Sequence, residues 1–457
     1  MAISPGCSPT RLWEPTLTIR EQISDRLATA RSTARERLRL PRIPRRGLWP
    51  YLLALGPGLL AASAGNDAGG IATYASAGAA YGYGLLWAMV LVTICVGVVQ
   101  EMSARLGAVT GKGFSDLVRE NFSLRTTALI LLTLFVANFG IIVSEFVGIA
   151  AAAELFGVNR YIAVPLAAAL VWLLITRGSY ARVEKIFLML TLAFLAYIGA
   201  AFLAKPDWGA VLQQTVRPTL QLNIDYLQLL IALIGTTISP YMQLYVQSSV
   251  VEKGVTPADY RYTRFDVYLG TLFAGIVAAF IIIATATTLF PTGKQVETAA
   301  DAARALEPVA GPYAGLMFGL GLLGASLLAA GVLPLATTYM MSEALGFERG
   351  VSRSWDEAPI FMGLFTGLVA LGAVLALIPG LPLIQVLVGV YVLNGLLLPI
   401  ELFAILRLVN DHELMGHHVN RGVFGALAWA IAAVVSLLSL TLIAITVLSW
   451  FGVNLGG

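Results

Sequence analysis

Long apolar stretches separated by short polar connections follow one another along the chain after residue 48. Each holds about 20 mostly apolar residues, enough for one helix to cross the roughly 30 Å hydrocarbon layer of a bilayer. The predicted spans have the approximate limits 50–80, 83–107, 126–155, 160–176, 184–204, 226–250, 265–290, 312–346, 358–379, 383–406 and 423–452. The pattern predicts an all-α polytopic membrane protein with about 11 transmembrane helices.

Composition supports this prediction, because 58% of the residues are hydrophobic and only 12% are charged, with a mean hydropathy of +0.81. Soluble domains carry about twice that charged fraction. The two cysteines, Cys7 and Cys95, fall in the N-terminal arm and inside the second span, so no disulfide framework is expected.

Most positive charges lie in the N-terminal arm and in every second connection between the predicted spans, which places them on one side of the membrane. On one side are 24 of the 29 Lys and Arg, and on the other are Arg160, Lys205, Arg217, Lys294 and Arg304. Because Lys and Arg concentrate in cytoplasmic loops, the N-terminus is predicted in the cytoplasm and the C-terminus outside. The sequence thus predicts a multi-pass protein of the plasma membrane.

Four regions follow from this topology. They are an Arg-rich cytoplasmic arm (1–46), a transport core (48–408, with repeats of about 48–205 and 224–408), a cytoplasmic loop (409–422), and a peripheral eleventh helix with an outside C-terminus (423–457). The arm holds ten Arg and no apolar span. Contact with anionic lipid is the preferred interpretation, and a nucleic-acid-binding tail is the alternative.

Corresponding spans are interrupted in the two halves of the core. The first is interrupted around Asp67 by Gly65, Gly69 and Gly70, and the sixth by Gly235, Thr236, Thr237, Ser239 and Pro240. Pro cannot donate a backbone hydrogen bond, and Gly weakens a helix by about 1 kcal/mol relative to Ala. Two broken helices, one in each five-span repeat, indicate a secondary transporter with inverted repeats and a midplane substrate site.

Asp67 is a carboxylate at membrane depth, within the first break. A charged Asp there costs about 2.5 to 3.5 kcal/mol on insertion scales, so it indicates function. Unwound carbonyls beside a carboxylate suit a cation, whereas helix amides or a buried Lys would give it a structural role. Neither broken segment contains Lys or Arg, which favours the cation.

The stretch "LGPGLL", followed by "DAGG" and "IATYASAGAAYGYGLLW", and "ARLGAVTGKGFSDLVRE" after the second span resemble the Nramp family of divalent-metal transporters. The similarity runs from about Leu55 to Leu406. It implies a LeuT-like fold of 11 or 12 helices with an inverted 5+5 repeat. It also places Asp67 where the family's Asp-Pro-Gly-Asn signature has its metal-ligating Asp.

The chain departs from the family at three signature positions. Gly70 replaces the Asn, Ser239 stands where the sixth span has its Met, and Tyr241 stands where it has a His. Losing the thioether weakens discrimination against hard ions, and Mg²⁺ needs a larger oxygen-lined pocket because it keeps several waters. The changes resemble the Nramp-related magnesium transporter branch, and they predict a pocket formed by Asp67, Gly70, Thr236 and Ser239.

Three further residues are candidates for the metal site. Gln243 follows the second break, and Asn394 in the tenth span stands near the position where the family uses a Gln. Glu145 matches a third-span Glu on the family's proton path, although its partner Asp is Ile142 here. Glu145 is equally compatible with lining an aqueous vestibule or with bonding to a neighbouring helix.

The sequence therefore predicts an importer of partly hydrated divalent cations, Mg²⁺ first and also Mn²⁺, that works by alternating access. Its three histidines, His412, His417 and His418, all lie in a loop, so passive or weakly proton-coupled transport is expected. The alternatives are a proton-coupled Mn²⁺ or Fe²⁺ importer and a cation-coupled transporter of an organic solute.

An enzyme is not expected, because the spans contain no His pair, Cys nucleophile or Gly-x-Ser-x-Gly element. No cofactor is predicted, since the metal is the substrate. The expected partners are divalent metal ions and the lipid bilayer, without nucleic acid or an obligate protein partner.

Overall fold

The computed structural model of the protein describes residues 56–177, 185–186, 189, 195–221, 223–293, 296, 311–351, 353–380 and 383–450. Helices and turns make up these residues, with no strand among them. The Arg-rich arm and part of the predicted fifth span (184, 187–188 and 190–194) lie outside them. The all-α prediction is confirmed for the part of the chain that the structure describes.

The first eight helices are α1 (Pro57–Ala64), α2 (Ala68–Tyr81), α3 (Leu86–Thr110), α4 (Phe114–Asn121), α5 (Leu124–Leu155), α6 (Arg160–Arg177), α7 (Leu195–Leu203) and α8 (Trp208–Val216). The others are α9 (Ile224–Thr237), α10 (Pro240–Glu252), α11 (Tyr260–Thr288), α12 (Ala314–Leu345), α13 (Pro359–Ala376), α14 (Leu383–Val409), α15 (His412–Met415) and α16 (Gly422–Trp450).

Nine helical segments within the described residues are long and apolar enough to cross a membrane. One of them, Ala68–Thr110, joins the second half of the first predicted span to the whole second span. We name the two ends of the bundle from the predicted topology. The predicted cytoplasmic end is the one where α1 begins and where α3, α10 and α14 end.

Both predicted helix breaks are present. Residues 65–67 separate α1 from α2, and Ile238 and Ser239 separate α9 from α10. Asp67 caps the N-terminus of α2. Pro240 is the first residue of α10, a position whose backbone N–H would have no hydrogen-bond partner within the helix, so the missing N–H of proline costs nothing there. Asp67 and Pro240, which predicted the breaks, are therefore also the residues at which the next helices begin.

The sixth span lies at the centre of the bundle. Every residue in the most apolar 18-residue window of Ile224–Glu252 is buried in the protein. Its first half, α9, packs against α14, and its second half, α10, packs against α3 and α12. Irregular backbone survives at membrane depth only where protein or a wet cavity surrounds it, so this burial is what the break requires.

The beginning of α1 is held against α11. A Cβ atom on Gly58 would lie 2.6 Å from the Cα of Val267, so only glycine permits this approach. The carboxylate of Asp266 accepts hydrogen bonds from the backbone N–H groups of Gly56 (3.0 Å), Gly58 (2.7 Å) and Leu59 (3.2 Å). Asp266 thus caps α1 from a neighbouring helix, because the first amides of a helix lack partners of their own.

Candidate metal site

Asp67 lies in the first break and is completely buried. Its Oδ1 accepts a hydrogen bond of 2.7 Å from the backbone N–H of Gly70, which fixes the carboxylate at the N-terminus of α2. Its other oxygen, Oδ2, points towards the tyrosines of two other helices. The predicted site residue therefore sits where helix amides favour its charge and where one oxygen faces neutral donors.

Two phenol groups reach Oδ2 of Asp67. The Tyr241 hydroxyl lies 3.3 Å away and also bonds the carbonyl of Ala64 at 2.6 Å, while the Tyr391 hydroxyl makes a closer hydrogen bond to the same oxygen. Neither tyrosine belongs to the set of site residues that the sequence predicted. Tyr241 directly follows Pro240, at the position where the family's sixth-span signature has a His. That position is the one feature of the sequence that points to this residue.

The predicted residues of the second break lie together. The hydroxyl of Ser239 is 2.8 Å from the carbonyl oxygen of Gly235 and 3.0 Å from that of Thr236. The amide of Asn394 donates to the same Gly235 carbonyl (2.7 Å) and to the Ser239 hydroxyl (3.1 Å). Asn394 therefore joins α14 to the second break, and Ser239 bonds within that break and to Asn394.

Thr236 connects the two breaks, because its hydroxyl donates to the carbonyl of Gly65 at 3.5 Å. Gly70 lies beside this contact. A Cβ on Gly70 would be 2.8 Å from the Gly65 carbonyl oxygen, 2.8 Å from the Thr236 hydroxyl and 3.1 Å from Oδ1 of Asp67. The sequence predicts a larger oxygen-lined pocket that includes Gly70, but three oxygens fill the space that a side chain at this position would take, so Gly70 adds no room to it.

Glu145 also reaches the first break. It is fully buried, and its carboxylate accepts a hydrogen bond of 3.2 Å from the backbone N–H of Ala68 and one of 3.4 Å from Ser144. The carboxylates of Asp67 and Glu145 thus both lie at the N-terminus of α2. Of the two sequence-based interpretations, the contact fits a bond to a neighbouring helix at the edge of the site.

Gln243 does not join this group of contacts. It is almost completely buried, and neither its amide oxygen nor its amide nitrogen has a hydrogen-bond partner among the described residues. The structure thus places Gln243 one turn beyond Pro240, with its polar atoms unused.

Met242 is a neighbour of the first break that sequence reasoning missed. A Cβ on Gly65 would lie 1.7 Å from the Met242 methyl and 3.3 Å from its sulfur, so the thioether rests against the unwound backbone. The Gln100 amide donates to that sulfur at 3.5 Å. Met242, Gly65, Asn66 and other residues line a cavity of about 10 Å³, roughly the space of one water.

The arrangement as a whole offers the carboxylate of Asp67, that of Glu145 at its edge, helix-end carbonyls, hydroxyls and an amide, drawn from four spans. Among the described residues there is no group of three or more His, Cys, Asp or Glu that could hold a metal ion. A tight resident metal centre would need more anionic ligands, whereas one or two carboxylates among neutral oxygens suit a cation that binds reversibly.

Comparison with known proteins agrees with this chemistry. A family model described as natural resistance-associated macrophage protein-like matches residues 58–445. A divalent metal cation transporter, MntH, from Ralstonia nicotianae is 31% identical over 418 residues, which are 87% of this chain and 92% of that protein.

Two solved structures share the fold. A manganese transporter from Eremococcus coleocola, in complex with an aromatic bis-isothiourea substituted compound, has a TM-score of 0.74 at 18% identity and covers 91% of both chains. Mhp1, a nucleobase-cation-symport-1 family transporter, has a TM-score of 0.55 at 16% identity over 87% of this chain and 92% of its own. At these identities the likeness concerns the fold alone, and it confirms the predicted LeuT-like architecture.

Proposed function

We propose that this chain, which belongs to the natural resistance-associated macrophage protein (Nramp) family, imports Mn²⁺ by alternating access around Asp67. Membership of the family makes the chain a multi-pass membrane transporter of divalent metal cations, not an enzyme. The choice of ion, the direction and the coupling belong to the proposal.

The observation that carries the proposal is the burial of Asp67 between the two breaks. No part of its side chain is exposed, and donors from α9, α10 and α14 surround the first break. A buried carboxylate at a discontinuous helix is the arrangement that transporters use for a coupling or substrate cation. A site closed from both sides is also an intermediate that alternating access requires.

The donor set supports Mn²⁺ as the main ion and Mg²⁺ as a weaker competitor. The sequence favoured Mg²⁺ because Ser239 replaces a thioether, but Met242 places another thioether against the first break. Polarizable sulfur favours transition ions over Mg²⁺, while the surrounding hydroxyls and carbonyls accept both. The Eremococcus coleocola relative is described as a manganese transporter, which points the same way.

Proton coupling is proposed to be weak or absent. The chain's three histidines lie in the segment 412–418, at α15 and the turn that follows it. A span without histidine lacks the side chain that most readily exchanges protons near neutral pH. The plasma membrane location, the cytoplasmic N-terminus with its Arg-rich arm and the inward direction of transport are parts of the same proposal.

The test is ion flux into proteoliposomes that contain the purified protein, with a Mn²⁺ indicator and a pH dye inside. Mn²⁺ should enter saturably, Mg²⁺ should compete at higher concentration, and the lumen should not acidify in step with uptake. Asp67→Ala should abolish uptake while the protein remains folded.

Asp207→Ala is the matched control, because Asp207 caps α8 and is exposed. This variant should transport like the wild type. Saturable Mn²⁺ uptake by Asp67→Ala would remove Asp67 from the site, and Mn²⁺ entry accompanied by stoichiometric protons would overturn the proposal of weak coupling.

A further inference from the structure

Glu401 is a buried carboxylate that the central site does not use. It lies in α14, its side chain is completely buried, and neither carboxylate oxygen has a hydrogen-bond partner among the described residues. Buried polar groups are nearly always paired, and an acidic residue inside a membrane span indicates a functional site. A structural role would require a partner that holds the carboxylate, and the described residues offer none.

The position of Glu401 along α14 relates it to the central site. Asn394 bonds to the second break, and Glu401 follows it by seven residues, which is close to two full turns. Both side chains therefore lie on the same face of α14. A rise of about 1.5 Å per residue separates them by about 10 Å along the helix, towards the predicted cytoplasmic end.

Two further buried side chains without partners lie towards the same end of the bundle. Asn138 precedes Glu145 by seven residues in α5, so the two share a face of that helix, and Gln243 lies one turn beyond Pro240 in α10. Neither amide has a hydrogen-bond partner among the described residues. Since α5, α10 and α14 pack against one another, the three helices bring unused polar groups to one side of the central site.

We propose that Glu401 is a second cation site, on the release path between Asp67 and the predicted cytoplasmic end. It takes up a hydrated divalent cation after that cation leaves Asp67, with the amides of Asn138 and Gln243 contacting the ion's water shell. An ion crossing about 10 Å of low-dielectric protein without a countercharge meets a high barrier, and a second carboxylate lowers it. This inference rests on the proposed transport function and deepens it.

The test separates binding from release. Glu401→Gln should lower the Mn²⁺ uptake rate of proteoliposomes on the order of tenfold, equivalent to about 1.4 kcal/mol, and should leave the Mn²⁺ affinity of the Asp67 site, measured by titration calorimetry, unchanged. Glu401→Asp keeps the charge and should retain most of the rate. Glu413→Gln, at an exposed position of α15, is the matched control and should transport like the wild type.

Three outcomes would overturn the inference. They are wild-type uptake by Glu401→Gln, a parallel loss of binding and uptake, and a change confined to the effect of a pH gradient, which would make Glu401 a proton site. If Glu401→Gln does not fold, Asn138→Leu provides the same test, and wild-type uptake by it would count against the path. Failure of the transport proposal itself would differ, because the wild-type protein would then neither bind nor carry Mn²⁺.

Discussion

The hydroxyl of Tyr391 donates a hydrogen bond to Oδ2 of Asp67, although 324 positions separate the two residues in the chain. This contact joins α14 to the break between α1 and α2. It also occupies the carboxylate oxygen that faces away from the amide of Gly70. A cation that binds through Oδ2 therefore has to displace a phenol, so Tyr391 competes with the ion for Asp67.

Tyr391→Phe should increase Mn²⁺ affinity and destabilise the metal-free protein. Hydrogen bonds to charged groups contribute about 1.5 to 3 kcal/mol, so the lower value corresponds to roughly tenfold tighter binding. Calorimetric titration and thermal unfolding in detergent measure the two effects. Tyr161→Phe, on an exposed position of α6, is the control, and weaker Mn²⁺ binding by Tyr391→Phe would show that the phenol is a ligand.

Gly70→Ala should destabilise the protein by about 1 to 3 kcal/mol, the usual cost of overpacking. The new Cβ would lie 2.8 Å from the Gly65 carbonyl oxygen and from the Thr236 hydroxyl, which would force the two breaks apart. The temperature of thermal unfolding and the rate of Mn²⁺ uptake should both decrease. Gly363→Ala in α13, where a Cβ meets nothing within 4 Å, should be neutral or stabilising, and equal stability of the two variants would contradict the crowding at Gly70.

Met242→Leu should reduce the preference for Mn²⁺ over Mg²⁺. The substitution nearly preserves volume, so it removes the sulfur next to Gly65 at little cost in packing. A loss of discrimination on the order of tenfold, about 1.4 kcal/mol, is expected from uptake competition between the two ions.

The control for this substitution is Met89→Leu, at a buried position of α3. It should leave discrimination unchanged. If Met242→Leu and the wild type discriminate equally, then the thioether has no part in ion choice and oxygen geometry alone sets it.

Asp266→Asn should loosen the beginning of α1. The carboxylate accepts from three backbone amides, and the amide side chain keeps only one acceptor oxygen. Losing charge-assisted hydrogen bonds worth about 1.5 to 3 kcal/mol should speed hydrogen exchange in the peptide 56–64 by roughly tenfold or more.

Exchange measured by mass spectrometry on the protein in nanodiscs follows that peptide directly. Asp225→Asn, on an exposed position in the first turn of α9, is the control and should leave peptide 56–64 unchanged. Unaltered exchange in Asp266→Asn would mean that the glycine contact between α1 and α11 holds the helix without the carboxylate.

The elements that the sequence predicted are those set by local chemistry. Apolar length determined the spans, Pro240 and the glycines determined the breaks, and Asp67 stood out because a charge at membrane depth is costly. Asn394, which the sequence named as a candidate for the metal site, bonds to the second break, and its role towards an ion stays a prediction. These features depend on residues close to one another in the chain, or on the symmetry between the two halves.

The features that the sequence did not reveal depend on distant contacts. Nothing near Tyr391 in the chain indicates that its hydroxyl reaches Asp67, and nothing around Pro240 indicates that the Met242 thioether rests against Gly65. The absence of a side chain at Gly70 suggests free space, but neighbouring oxygens fill that space in the structure. Side-chain direction and the packing of three helices decide such details, and spacing along one helix does not specify them.

The burial of the most apolar window of the sixth span has a consequence for how the protein is made. Its mean hydropathy of 1.5 is well below the 2.6 of the last span, and its helix is broken by Pro240, so it is a poor candidate for stable residence in lipid by itself. Its partner α14 is synthesised well over a hundred residues later. Before α14 is made, the sixth span therefore lacks the helix that covers its first half, and we expect truncation before α14 to expose it to membrane quality-control proteases.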